Sequence, residues 1–223
     1  IAQPLMQNVL ADLALESEAA TALALRVAVA VDRTDHAPDE HEAVMRRLLT
    51  PVAKFWICKR GSHFAQEAME CLGGNGYVEA AGEGVMARIY REMPVNSIWE
   101  GAGNIMAIDL LRALRGTDVL PALERELAPA RGAHAAYDRA ATVVLQTVDQ
   151  GVHEAQARIL ARDLALVLQA AQLHRLAPPL VFEAFCASRL TATPDVFGLL
   201  PAGTDSEALV ERAMPEPNRQ EPT

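Results

Sequence analysis

The spacing of apolar residues predicts helices along almost the whole chain. Over residues 4–32, Leu5, Val9 and Leu13 fall on one stripe and Ala fills many of the positions between them. A second pattern of the same period covers residues 40–72. No segment shows convincing strand alternation and there is no internal repeat, so the pattern predicts an all-α protein.

Turn-forming residues divide this pattern. Residues 34–39 predict a loop that ends in the N-cap Asp39, and Pro51 is expected to kink the second helix. Residues 73–84 predict a glycine-rich loop. Further helices are expected at residues 85–91 (ended by Pro94), 103–115 (capped by Gly116), 118–130, 133–150, 153–176 and 179–191.

This order of elements predicts three segments. Residues 1–116 are expected to form an up-down domain of the four-helix-bundle type, and residues 117–192 a second small helical domain. Residues 193–223 are rich in Pro and acidic residues, which predicts a largely disordered tail. The chain begins without Met inside a helical pattern, which suggests a piece of a longer protein.

Composition excludes several classes of function. Hydrophobic residues make up 51% and aromatic residues 4%, so the core must consist mainly of Ala, Leu and Val. No apolar run reaches the roughly 18 residues that a membrane span needs, and no signal peptide is evident, so a cytoplasmic protein is expected. The net charge of −9 argues against strong non-specific binding of nucleic acid.

The cysteines and histidines predict no metal site. Cys58, Cys71 and Cys186 are odd in number, widely spaced and set in apolar helical context. We interpret them as buried free thiols. The six histidines show no ligand spacing.

Gly73, Gly74 and Gly76 form the first candidate site, in the sequence GGNGY. The motif follows a helix and lacks the context of a dinucleotide-fold or P-loop motif. Two interpretations remain open. The glycines supply positive φ for a helix end and a tight turn, or they let a phosphate or ribose approach the backbone closely.

Residues 99–104, with the sequence WEGAGN, form the second candidate site. Gly101 and Gly103 are expected to leave backbone N–H groups open at a helix start, where an anion is favoured and Asn104 adds an amide. Glu100 lies beside the indole of Trp99, which would withdraw it from water and make it a better proton acceptor. The alternative is a carboxylate that only stabilises the helix N-terminus, with Trp99 in the core.

These motifs together resemble a known family. Residues 70–77 (ECLGGNGY), 90–92 (YRE) and 98–104 (IWEGAGN) are similar to the C-terminal helical domain of acyl-CoA dehydrogenases. Residues 91–101 (REMPVNSIWEG) and 51–61 (PVAKFWICKRG) resemble more closely the branch named for the DNA alkylation (adaptive) response. The resemblance extends over nearly all of residues 1–192.

The resemblance implies a cofactor and roles for the motif residues. FAD would bind at a subunit interface of a homo-oligomer, a dimer of dimers in the family, with Gly73, Gly74 and Gly76 near the dinucleotide. Residues 98–108 would line the flavin site, with Ile98, Trp99, Gly101, Gly103 and Asn104 among its contacts. Glu100 matches the position of the catalytic base that removes the α-proton of an acyl-CoA thioester, while the β-hydrogen leaves as hydride to the flavin.

Two other functions remain open. The alkylation-response branch is associated with DNA binding through a basic surface, and Arg112 matches a basic position there, although a local ion pair with Asp109 is the simplest account of it. The later helices here are net acidic, which weakens that expectation. The remaining possibility is a helical oligomerisation unit without a cofactor of its own.

Overall fold

The structure is a computed structural model that describes residues 3–36, 39–79, 84–116, 118–191 and 197–214. These residues form helices and connecting segments without a strand, so the predicted all-α class is confirmed. The helices are α1 Pro4–His36, α2 Glu40–Glu70, α3 Gly74–Tyr77, α4 Val85–Asn96, α5 Gly103–Ala113, α6 Val119–Leu127, α7 Ala135–Gln150, α8 Ala157–Leu176, α9 Pro179–Arg189 and α10 Ser206–Ala213, with single 3₁₀ turns at Ala128–Ala130 and Glu154–Gln156.

The turn between the first two helices is shorter than predicted. Residues 34–36 continue α1, and within this end of the helix the hydroxyl of Thr34 donates back to the carbonyl of Ala30 at 2.6 Å. Asp39 caps α2 as predicted, and its carboxylate accepts from the N–H of Glu42 at 3.1 Å. The remainder of the predicted loop, residues 37–38, lies outside the described residues.

α2 contains the buried Pro51 and runs to Glu70, close to its predicted end. Two other helix ends differ from the prediction. α4 extends past residue 91 to Asn96 and includes Pro94, because Lys54 of α2 donates to the carbonyl of Asn96 and satisfies the end of that helix. α5 is capped by Leu114, not by Gly116.

The hydrophobic core is continuous across the predicted domain boundary at residue 116. α8 packs against α1, α2 and α5 as well as α7 and α9. Its buried Leu164 and Leu168 belong to the same cluster as Leu15 and Leu48 of the first two helices. The division into two domains therefore stays a prediction, because the described residues share one core.

The prediction of a disordered tail is wrong for residues 197–214. Asp205 caps α10 by accepting from the N–H of Ala208 (3.0 Å), and Leu209 is buried where α10 packs against α1. The carboxylate of Asp12 on α1 accepts from the N–H of Gly198 at 2.8 Å. Composition missed this packing because a few apolar residues suffice to dock a short helix on an existing surface. Residues 192–196 and 215–223 lie outside the described residues.

Candidate functional site

A turn that joins α4 to α5 carries the proposed base. Lys54 holds this turn, since its ammonium donates to the carbonyls of Asn96 (2.5 Å) and Trp99 (2.9 Å). Glu100 then adopts a φ of 56° and Gly101 a φ of 112°. Left-handed backbone is uncommon for a residue with a side chain and costs of order 1 kcal/mol or more, so surrounding contacts must impose it.

Within the described part of the chain, no residue shields Glu100 from water as the sequence predicts. Its carboxylate is exposed, and the side chain of Trp99 is 59% exposed instead of lying in the core. The carbonyls of Asn96 and Trp99 face Lys54 of α2, and the side chains of Trp99 and Glu100 are exposed to solvent. An indole this exposed cannot desolvate a neighbouring carboxylate by itself. A second surface would have to cover both side chains to make Glu100 an effective base.

The start of α5 is less open than predicted. Gly103 is buried, and a Cβ at this position would lie 2.8 Å from the Cε of Lys59 on α2. A Cβ at Gly101 would lie 2.3 Å from the Cε of Met106. Lys59 and Met106 together fill the crevice between α2 and α5 and leave no internal volume for a bound molecule. A ligand at this point must therefore lie on the outer face of the turn, or the Lys59 side chain must move.

Two cations meet at this helix start; Lys59 belongs to the motif of residues 51–61 without a role predicted for it, and Arg158 lies outside the motifs. Lys59 lies against Gly103, and Arg158 at the beginning of α8 donates to the side-chain oxygen of Asn104 at 2.8 Å. The Arg158 guanidinium also lies 5.4 Å from the ring centroid of Phe55. The sequence carries little signal for Arg158, because it lies 54 residues beyond Asn104.

The glycine segment lies at the other end of α4. Gly73 has a φ of 60° and caps α3, and a Cβ at Gly73 or Gly74 would contact nothing within 4 Å, so both face open space. Gly76 differs, because a Cβ there would lie 2.2 Å from the carbonyl oxygen of Met69. Gly76 therefore allows α3 to pack on the end of α2, and the other two glycines leave their backbone accessible.

The two motifs are not adjacent, because α4 lies between them in the chain. α4 runs beside α2 and α3 and has 12 residues, which is about 18 Å at ~1.5 Å per residue. Large apolar side chains around these helices are exposed, namely Leu72, Tyr77, Val78, Val85, Ile89, Val95, Ile98, Trp99 and Ile105. A row of this kind is typical of a surface that is covered in the complete assembly.

Arg112 lies outside this face. Its guanidinium donates to the carboxylate of Asp109 at 2.6 Å, so the predicted local ion pair is present. Arg112 lines a groove of 470 Å³ between α2 and α5, together with Arg46 and Arg47.

Comparison with known proteins identifies the family. Residues 1–115 match the model of the acyl-CoA dehydrogenase C-terminal domain. The chain belongs to the acyl-CoA dehydrogenase family. It is 44% identical over 187 residues to the putative acyl-CoA dehydrogenase AidB of Escherichia coli (strain K12), an alignment that covers 83% of this chain and 33% of AidB. This relative confirms the resemblance to the alkylation-response branch.

More distant members of the family match as well. Acyl-CoA dehydrogenase family member 11 of Caenorhabditis elegans is 39% identical over 77 residues, which cover 34% of this chain and 12% of that protein. The crystal structure of Caenorhabditis elegans ACDH-11 in complex with C11-CoA superposes with a TM-score of 0.63 at 24% identity, over 77% of this chain and 34% of that one. The chain spans a third or less of the curated relatives it matches.

Proposed function

We propose that this chain is the C-terminal part of an FAD-dependent acyl-CoA dehydrogenase that converts an acyl-CoA thioester to its α,β-unsaturated form. Family membership supports the reaction class. One observation in the structure carries the site, namely the meeting of Lys59 and Arg158 at the N-terminus of α5. A helix N-terminus already carries partial positive charge, so two further cations beside it repel that charge. A bound anion would offset the positive charge of the helix end and of both side chains.

The described residues suit an extended anionic coenzyme better than a small ligand. The cations at the start of α5 would bind an anionic group, and Ile98 and Trp99 offer apolar surface beside them. The accessible backbone of Gly73 and Gly74 follows the C-terminal end of α2, where a second polar part of a dinucleotide would reach it. Bound flavin would supply the hydride acceptor for the β-hydrogen.

In this proposal Glu100 takes the α-proton of the thioester. The strained turn fixes the carboxylate on the outer face of α5, and Lys54 keeps the turn in place. Because Glu100 and Trp99 are exposed here, the proposal requires another domain or a second subunit to cover them and exclude water. This requirement agrees with a flavin site at a subunit interface in a homo-oligomer, which the molecular mass of the purified full-length protein would test.

Glu100→Gln in the full-length protein tests the base. The variant should keep its bound flavin absorbance, and the rate at which an acyl-CoA bleaches that absorbance should fall by roughly 10²–10⁴-fold. Glu92→Gln, a change of another exposed carboxylate in the neighbouring α4, is the matched control and should bleach normally. Bleaching within tenfold of the parent protein in Glu100→Gln would reject Glu100 as the base.

The cation cluster is tested by flavin affinity instead of turnover. Arg158→Gln and Lys59→Gln should each weaken flavin binding by about tenfold, because each removes a charge-assisted contact to the anionic coenzyme. Arg162→Gln, one helical turn further along α8, is the control. Unchanged flavin affinity in both site variants would mean that the coenzyme does not contact the start of α5.

A second candidate function is association with DNA. The observation in its favour is that Arg46, Arg47 and Arg112 line one groove, although Arg46 pairs with Asp35 and Arg112 with Asp109. Duplex binding should then be strongest at low salt and weaker in Arg47→Ala and Arg112→Ala. No mobility shift of a DNA duplex at low salt would exclude this function.

A further inference from the structure

A second large cavity lies away from the proposed flavin face. It is a cleft of 810 Å³, bordered by α1, the beginning of α2 and the C-terminal ends of α6 and α8. Glu42 in its wall precedes Lys54 on α2 by 12 residues, which is about 18 Å along the helix. Its volume lies in the range of small-molecule sites, and none of the sequence motifs contributes to it.

The floor of this cleft is a buried network of charged side chains that are hydrogen-bonded to one another. Arg26 donates to both oxygens of Glu126 (2.7 and 3.0 Å) and to Glu42 (2.7 Å), and Gln172 donates to Glu126 at 2.9 Å. Burial alone would raise the pKa of Glu126, but the bonds and charge of Arg26 outweigh it and hold that pKa below its usual value. The floor therefore provides a rigid base for the cleft.

Other arginines around the cleft are only loosely engaged. Arg33 reaches Glu42 at 3.4 Å and is 60% exposed, and Arg175 approaches Glu126 no closer than 3.9 Å and is 48% exposed. Arg26 and Gln172 already donate to the oxygens of Glu126 that Arg175 faces, and Arg33 contacts Glu42 through one nitrogen only. Both guanidinium groups thus retain donors for a ligand.

The charges of the lining show what the ligand should carry. The four arginines that line the cleft are Arg26, Arg33, Arg125 and Arg175, and the three carboxylates are Asp32, Glu42 and Glu126. With His41 neutral, four positive charges less three negative charges leave one uncompensated positive charge. This local excess stands out in a chain whose net charge is −9, and it matches a single negative charge.

The rim of the cleft is apolar. Leu25 and Val29 of α1 are 58% and 41% exposed, and Leu176 at the end of α8 is 65% exposed. A small hydrophilic anion would leave this surface in water. An anion with an aliphatic chain would bury it while its charged end reached the guanidinium groups.

We propose that this cleft binds an amphipathic monocarboxylate, with the carboxylate on Arg33 and Arg175 and the aliphatic chain along Leu25, Val29 and Leu176. The site does not depend on the proposed dehydrogenase activity. It lies on the opposite part of α2 from Lys54 and Lys59, and no group of the proposed flavin face takes part in it.

Octanoate is a suitable probe, titrated against the full chain by isothermal calorimetry or by NMR. Binding should be saturable with one site per chain. Acetate, which lacks the chain, and octanol, which lacks the charge, should each bind at least tenfold more weakly. Octanol binding as tightly as octanoate would overturn the role of the arginines, and the absence of saturable octanoate binding would overturn the site.

Variants on exposed positions locate the site without threatening the fold. Arg33→Gln and Arg175→Gln should each weaken octanoate binding by about tenfold, since each removes hydrogen bonds to a carboxylate. Leu176→Ser tests the rim and should also weaken binding. Arg46→Gln, an exposed arginine of α2 outside the cleft, is the control. Octanoate binding that is unchanged in the Arg33→Gln/Arg175→Gln double variant would reject this location.

Discussion

Replacing Arg26 with Met would expose how much the buried ionic network contributes to stability. The guanidinium of Arg26 forms three hydrogen bonds of 2.7–3.0 Å with Glu42 and Glu126, and all three residues are at least 93% buried. Met fills much of the space of the arginine stem but leaves two carboxylates in the interior without their main partner. Removing one partner of a buried ion pair typically costs about 3–5 kcal/mol.

The remaining neighbours determine where in this range the loss falls. Arg175 lies 3.9 Å from Glu126, and Arg33 lies 3.4 Å from Glu42, so both carboxylates keep a distant cation. We therefore expect a loss of about 3 kcal/mol near neutral pH. Urea unfolding followed by circular dichroism measures it. Arg46→Met, which breaks the exposed pair with Asp35, is the control and should cost less than about 1 kcal/mol.

The pH dependence distinguishes lost charge pairing from lost packing. In the parent protein the pKa of Glu126 is depressed, so its stabilisation is present above the unfolded pKa of about 4.3 and is lost as the pH falls through the folded value. Without Arg26, burial raises that pKa instead, and protonation relieves the buried charge. The deficit of Arg26→Met should therefore shrink between about pH 7 and pH 5. A deficit below 1 kcal/mol, or one equal at both pH values, would refute this reasoning.

Three further predictions concern packing and burial. Gly76→Ala should destabilise the protein by about 1–3 kcal/mol, because its Cβ would meet a backbone oxygen of α2 at 2.2 Å, whereas Gly74→Ala has open space and should change little in the same urea assay. Tyr137→Phe should cost about 0.5–1.5 kcal/mol, because the buried hydroxyl donates to the carbonyl of Leu127 at 2.8 Å and this hydrogen bond is lost. Burial raises the pKa of the Cys186 thiol to about 12, so at about pH 8 this thiol should react with a disulfide reagent only after unfolding; rapid reaction in the folded protein would contradict its burial.

The amphipathic pattern was sufficient to predict most of the helices, because burial of one helix face determines where apolar residues can stand. α1, α2 and α8 follow their predicted segments closely. The helix ends were predicted less well. The end of α4 depends on Lys54, a residue 42 positions away from its partner Asn96. Bonds of this kind leave no periodic signal in the sequence.

The buried charges show a second limit of sequence analysis. Arg26 and Glu126 are separated by 100 residues, and in a helical pattern each counts as a member of a polar face. The same holds for Arg189, which is buried against Asp12 and Glu16 of α1. A charged residue in an amphipathic helix is normally solvated, so only the packing of distant helices reveals that these are inside.

The candidate site has a local motif, which the sequence predicts, and charged residues from distant helices, which it does not. The local sequence around Glu100 favours a tight turn before a helix, since Gly101 tolerates a φ of 112°. The charge at that turn comes from Lys59 on α2 and Arg158 on α8, which only the continuous core brings together. α8 belongs to the segment that was predicted to be a separate domain, and it supplies a cation to the family's motif. If that contact binds the coenzyme, flavin affinity in this branch depends on the later helices, and Arg158→Gln should weaken it even though the motif itself is intact.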